Sequence, residues 1–219
     1  MRGLRRVLVA AAVALVMLVG VDVGSRLFAQ DWVAGQLQES LQLSREPSVT
    51  FGGLLFLPGL VTGEVPSVRT SGRTFVAEGV EFEEITLNLR RVTYSPRQLV
   101  TRAAGTIRAR EGEGFVTMTD RQLTEAFRAR GAPVDVRFED GVVRVSADPL
   151  PGSVGARVAI EGGDLVVRPA DVPLDISFTL DLPEFIDGLT YTAIDIRSEI
   201  GRLDFAVRNV RFNVDASRG

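Results

Sequence analysis

From Pro47 to the C-terminus, apolar and polar residues alternate with a period of two over most of the chain, the mark of strands that bury one face. Val134, Val136 and Phe138 alternate with Asp135, Arg137 and Glu139. Asp140-Gly141 then offers a turn, and Val143, Val145 and Ala147 alternate with Arg144 and Ser146. Together they predict a hairpin. A second hairpin is predicted from Ala156, Val158 and Ile160 through Gly162-Gly163 to Leu165 and Val167. Near the C-terminus, Ile194 and Ile196 lead to Leu203, Phe205 and Val207, then to Val210, Phe212 and Val214. Antiparallel sheet with one face on a core follows from this patterning.

The alternation changes phase twice. Val80 and Phe82 are in one register, and Ile85, Leu87 and Leu89 are in the other, with Glu83-Glu84 between them. Val207 and Val210 show the same slip across Arg208-Asn209. A one-residue slip turns the apolar face outward unless a bulge absorbs it. One reading is therefore long, strongly curved strands carrying bulges; the other is pairs of separate short strands.

Two short helices are predicted within the sheet region. Ser95-Pro96-Arg97-Gln98-Leu99 and Thr119-Asp120-Arg121-Gln122-Leu123 both place Ser or Thr three residues before Gln, the capping-box spacing. The second helix continues through Phe127, on the same face as Leu123, and stops at Gly131 and Pro133. The recurrence hints at a duplicated strand-helix unit.

At the N-terminus, Arg2, Arg5 and Arg6 precede an uncharged run from Val7 to Val21, ended by Asp22. This is the form of a Sec-type export signal, and its 15 residues are fewer than the roughly 20 of a spanning helix. The best cleavage position follows Leu27-Phe28-Ala29, where Leu27 stands at the −3 position that such sites fill with a small residue. Val23, Leu27, Val33, Leu37 and Leu41 recur at mostly helical spacing, so a retained helix running from the membrane into the domain is the second reading. The expectation is residues 1–25 as signal peptide or signal anchor and 26–219 as one β-rich domain, exported, with the N-terminal arginines on the cytoplasmic side.

Composition narrows the chemistry. The chain has no Cys, no His and no Lys, so all 25 of its basic residues are Arg. That removes Ser-His-Asp triads, Cys nucleophiles, ordinary zinc sites, Schiff bases and P-loop lysines. It also removes disulfides and acylation on cysteine. A net charge of −3 argues against nucleic acid as a partner. Carboxylate chemistry or an all-oxygen metal site is what remains, with Glu81, Glu83 and Glu84 in one cluster and Asp181, Glu184 and Asp187 in another. A glycosidase cleft usually carries aromatic platforms, and Trp32, Tyr94 and Tyr191 are few, so no enzyme activity, cofactor or metal is expected.

Two stretches stand out. Phe51-Gly52-Gly53-Leu54-Leu55-Phe56-Leu57-Pro58-Gly59-Leu60-Val61 has no polar side chain, and its glycines and proline spoil regular structure. Such a segment is a core strand, the mouth of a cavity or a bilayer contact. Between Arg90 and Arg137 there are ten Arg against five acids, whereas from Phe138 to Asp215 there are seven against fourteen. Arg108 and Arg110 would share one strand face there; they are either ordinary surface charges or a patch for phosphate and anionic lipid.

The order of these features resembles the LmeA-like phospholipid-binding proteins of actinobacterial envelopes: an N-terminal segment running into a helix up to Leu41, FGGLLFLPGL, GEVPSVRTSG, GVEFEEITLNLRRVTY, SPRQL, TDRQL, the hairpins and a C-terminal ribbon. The resemblance covers nearly the whole chain after the anchor and rests on pattern, not on a catalytic motif. It implies an α+β, mostly antiparallel fold in which a strongly curved sheet wraps a long N-terminal helix around an apolar cavity (the tubular lipid-binding, or TULIP, plan). It also implies handling of phospholipid or lipoglycan precursors. The residues themselves suggest Phe51, Leu54, Leu55, Phe56, Leu57, Leu60, Leu123 and Phe127 for the cavity or its mouth, and Arg108 and Arg110 for the head group. Expected partners are an anionic phospholipid, the membrane and envelope proteins. The rival readings are a lipid-free anchored scaffold that recruits envelope enzymes, and a carboxylate hydrolase.

Overall fold

The computed structural model describes residues 20–31, 33–35, 38, 45–53, 56–97, 105–139, 142–148, 150, 152–170 and 176–214. The fold is α+β and mostly antiparallel β. Its described strands form two open sheets instead of the single one expected. The larger has six strands in the order β1-β2-β3-β4-β11-β10, namely β1 (Ser48–Phe51), β2 (Glu64–Ala77), β3 (Val80–Thr93), β4 (Gly105–Thr119), β10 (Leu189–Arg197) and β11 (Ile200–Val214). The smaller runs β5 (Asp135–Glu139), β6 (Val142–Ser146), β7 (Val154–Glu161), β8 (Asp164–Pro169) and β9 (Phe178–Leu180). The division falls where the capped helix Asp120–Ala129 leaves β4 and packs on β3, β4 and β5, so that the chain after it starts a new sheet. The sheets meet where β10 touches β7. At the N-terminus, residues 20–31, 33–35 and 38 are helical.

The predicted hairpins are present. Val136 pairs with Val145 and Phe138 with Val143; Val158 pairs with Val167 and Ile160 with Leu165. The second turns through Gly162 and Gly163, both at positive φ, which glycine adopts without strain. The capping box at Thr119 forms as read: the Gln122 N–H donates to Thr119 Oγ1 at 3.3 Å and the Thr119 N–H donates to Gln122 Oε1 at 2.9 Å. At the other capping pattern, residues 96–97 are helical and the rest lies outside the described residues.

Both phase changes occur inside long unbroken strands, so the separate-strand reading is wrong. The expected bulges take another form. Val65↔Val92↔Ala109↔Val210 is a buried row across β2, β3, β4 and β11, and Val68, Leu89, Gly112 and Val207 form the next apolar row. Between them lie two rows that point outward, and the register is the same on both sides. Arg91 and Asn209, with φ of 52° and 53°, lie in this break. A left-handed residue rotates the strand so that its neighbours share a face, and here four strands slip together with no residue inserted into one of them. Thr74, at φ 49°, does the same opposite Glu83. The true register shift lies elsewhere, between Tyr191 and Ala193.

The buried face of the large sheet is apolar along its length except for Thr70 of β2. Its central strand carries Ala109, Gly112 and Gly114 there, and larger neighbours lean over the space: a Cβ on Gly114 would sit 2.6 Å from the Phe205 ring and 2.3 Å from the Thr86 carbonyl oxygen. Phe205 belongs to an aromatic cluster with Phe185, which also meets Phe75 and Phe82. The Tyr191 hydroxyl donates to the Pro183 carbonyl at 3.0 Å and holds the loop that carries Phe185. Burial pushes the Tyr191 pKa up, and the nearby Glu78 charge adds to the shift.

Candidate functional site

In the apolar segment, Phe51 ends β1 and the residues from Leu57 onward enter the short helix Leu57–Thr62. Pro58 suits the first turn of a helix, and Gly63 closes it in the left-handed conformation, its N–H donating to the Gly59 carbonyl at 2.8 Å. A side chain at Gly63 would collide with the Tyr94 carbonyl, 2.3 Å from the added carbon. The Tyr94 hydroxyl in turn donates to the Gly59 carbonyl at 3.2 Å, and half-burial raises its pKa.

The helix start is capped from a distance. Asp22, buried on the N-terminal helix, accepts the Phe56 N–H at 2.8 Å and the Leu57 N–H at 2.7 Å through one carboxylate oxygen. Phe56 itself supplies no side-chain cap. An acidic group is favoured there because the first N–H groups of a helix have no partners within it. Asp22 thus ties the N-terminal helix to the apolar segment across 34 residues of sequence.

Placed on this framework, the sequence-derived candidates separate into two groups. Phe51 and Phe56 are buried with ring centroids 5.0 Å apart, and Leu57 is half-buried. Leu54 and Leu55 lie outside the described residues, and for Leu60 only the helical backbone is described. Leu123 and Phe127 are fully buried on the capped helix, at the far end of β4. From Arg108 to Thr119 that strand spans about 35 Å at ~3.3 Å per residue. The apolar face of the sheet connects the two groups.

Arg108 and Arg110 are exposed on the outer face, on either side of the buried Ala109. Register brings in a residue that the sequence reading missed: Arg211 of β11 stands directly across from Arg108, and Thr93 lies on its other side. This row adjoins the short helix, because Glu64, the partner of Thr93, follows Gly63. Nearby Arg90 pairs with Glu113, and Arg91 with Glu111 at 3.0 Å. One residue further out, on the inner face, Ile107 pairs with Phe212; both are half-buried, as is Tyr94 just beyond β3. Alternation placed Phe212 on the apolar face, but only the register reveals it as a neighbour of Ile107 at the end of the sheet.

Glu184 accepts the Gly188 N–H at 2.9 Å and shapes its own turn, while Glu83 is exposed on β3. Among the described residues, no group of three or more acids is placed to hold a metal ion.

A family model described as LmeA-like phospholipid-binding matches residues 20–218. The chain belongs to the LmeA-like phospholipid-binding family. The family is described by phospholipid binding, and the matched span covers both groups of apolar residues and the arginine row. The matched span opens at residue 20, so it includes Asp22 and the described N-terminal helical residues. Comparison with curated proteins and with solved structures gave no match.

Proposed function

We propose that this protein holds the acyl chains of a phospholipid or lipoglycan precursor against the apolar face of the six-stranded sheet. Arg108 and Arg211, with Arg110 beside them, receive an anionic head group at the end near the short helix. In this reading the long strands curl around the N-terminal helix in the tubular lipid-binding manner, and the four-strand phase break at Arg91 and Asn209 supplies the bend. The protein is exported, stays at the envelope membrane and moves lipid there or senses it.

The observation that carries this reading is a juxtaposition at one end of the sheet. Tyr94, Ile107 and Phe212 are half-buried on the inner side, while Arg108 and Arg211 stand exposed on the outer side one residue away. Apolar surface and guanidinium groups at one edge match the two ends of a phospholipid. Each buried methylene contributes about 0.8 kcal/mol relative to water, or roughly 12 kcal/mol for sixteen carbons. A bilayer offers nearly the same gain, so exchange between membrane and protein is close to neutral and is limited by passage through water.

The test is uptake of fluorescent phosphatidylglycerol and phosphatidylcholine from vesicles. The double substitution Arg108→Gln and Arg211→Gln should weaken uptake of phosphatidylglycerol about fivefold per arginine, on ~1 kcal/mol for each basic residue near an anionic surface. Uptake of phosphatidylcholine should change little. Equal loss for both lipids, or none for either, removes the arginines from the head-group role.

A further inference from the structure

The N-terminal helix is amphipathic in the inverse sense. At 100° per residue, Asp22, Arg26, Ala29 and Val33 fall on one stripe, and all four are buried or half-buried. The opposite face carries Val21, Val23, Leu27 and Phe28, which are 57%, 50%, 56% and 73% exposed. Gly20 and Gly24 complete that face, and no charge appears on it before Asp31. A helix on a water-facing protein surface shows the reverse order. Val61, on the short helix that Asp22 caps, is 77% exposed. Among the described residues, the other large exposed apolar ones, Val76, Val142 and Ile200, stand beside hairpin turns, where single apolar residues are ordinary.

We propose that this outward helix face and Val61 form a docking surface for a phospholipid bilayer, locked to the domain by the Asp22 carboxylate. The occupant follows from the sequence immediately upstream, which is uncharged from Val7 to Val21 and preceded by three arginines. From Val7 to Phe28 there are 22 residues, and the two charges among them, Asp22 and Arg26, face the protein. A helix of that length is about 33 Å long, against a hydrocarbon core of about 30 Å. The described part of the helix is by itself too short and too little apolar to cross a membrane; it supplies the outer end of the lipid-facing stretch. Two observations place these residues in the folded domain. Asp22 caps the start of the short helix, and the family match begins at residue 20. Cleavage after Ala29 would remove that cap, so the N-terminal segment is retained and the lipid-binding end stays at the membrane surface.

This surface does not require that lipid be held as cargo. The absence of cysteine allows single Leu27→Cys, Phe28→Cys, Val61→Cys and Arg157→Cys variants of the full chain to be labelled with an environment-sensitive dye. Each is reconstituted into phosphatidylcholine–phosphatidylglycerol vesicles with nitroxide-labelled acyl chains. Dyes at positions 27, 28 and 61 should shift to the blue and be quenched several-fold, while the dye at exposed position 157 on β7 should not. Emission at 27 and 28 as aqueous and unquenched as at 157 overturns the proposal. A blue shift without nitroxide quenching overturns it too, since it would mean that a second copy or another protein covers the face. A chain quenched at these positions that takes up no fluorescent phospholipid would sink the cargo reading alone. Uptake with all dyes in water would sink the docking surface alone.

Discussion

Gly114→Val should destabilise the domain by about 3 kcal/mol or more, at the upper end of the cost of overpacking a core. Gly114 lies in the middle of β4, between Leu87 of β3 and Phe205 of β11. An added Cβ would sit 2.3 Å from the Thr86 carbonyl oxygen and 2.6 Å from Cζ of Phe205. A flexible side chain could yield; a backbone carbonyl inside a ladder yields only if the β3–β4 pairing opens. Phe205 cannot move away freely either, because Phe185 and Tyr191 pack against its ring. Gly112→Val should cost less, because its nearest contacts, 2.7 and 2.8 Å away, are tips of the Val207 and Leu89 side chains. Chemical denaturation of the two variants checks the ranking. Equal, small losses would mean that the central strand is not closely covered.

Asp22→Ala should cost about 2–4 kcal/mol, because two backbone donors at the start of the short helix lose their acceptor and each unsatisfied buried donor costs roughly 1–3 kcal/mol. The loss is local in origin. Hydrogen exchange should accelerate first at the Phe56 and Leu57 amides, and then through the short helix up to the Tyr94 contact at Gly59. Asp22→Asn keeps a carbonyl acceptor and should recover part of the protection. Unchanged exchange at these amides would show that the N-terminal helix is not held to the domain by this contact.

Much of the fold can be read from residue alternation, because a half-buried strand records its two faces in every second residue. The hairpins β5–β6 and β7–β8 follow from that, as does the Thr119 capping box from its spacing. The slips at Glu83-Glu84 and Arg208-Asn209 are visible in one strand at a time. That four strands slip in step becomes clear only from the register, which local sequence does not encode. Asp22 shows the limit most clearly: in sequence it ends an apolar run, and its role depends on partners 34 and 35 residues away. Arg108 and Arg110 are legible as one face, but Arg211 joins them only through pairing with β11. Phe56 illustrates the ambiguity of an apolar loop, since hydrophobicity alone does not distinguish a ring stacked into the core from one offered to lipid. Val61, in the same segment, faces out.

On the proposed reading, the apolar face of the large sheet shelters hydrocarbon. Native mass spectrometry of the gently purified full chain addresses it most directly. A population heavier by the mass of one phospholipid, released by organic solvent and enriched in anionic species, is expected. A chain that flies only at its own mass after purification from its native cells, and that stays so after incubation with phosphatidylglycerol vesicles, would sink that reading.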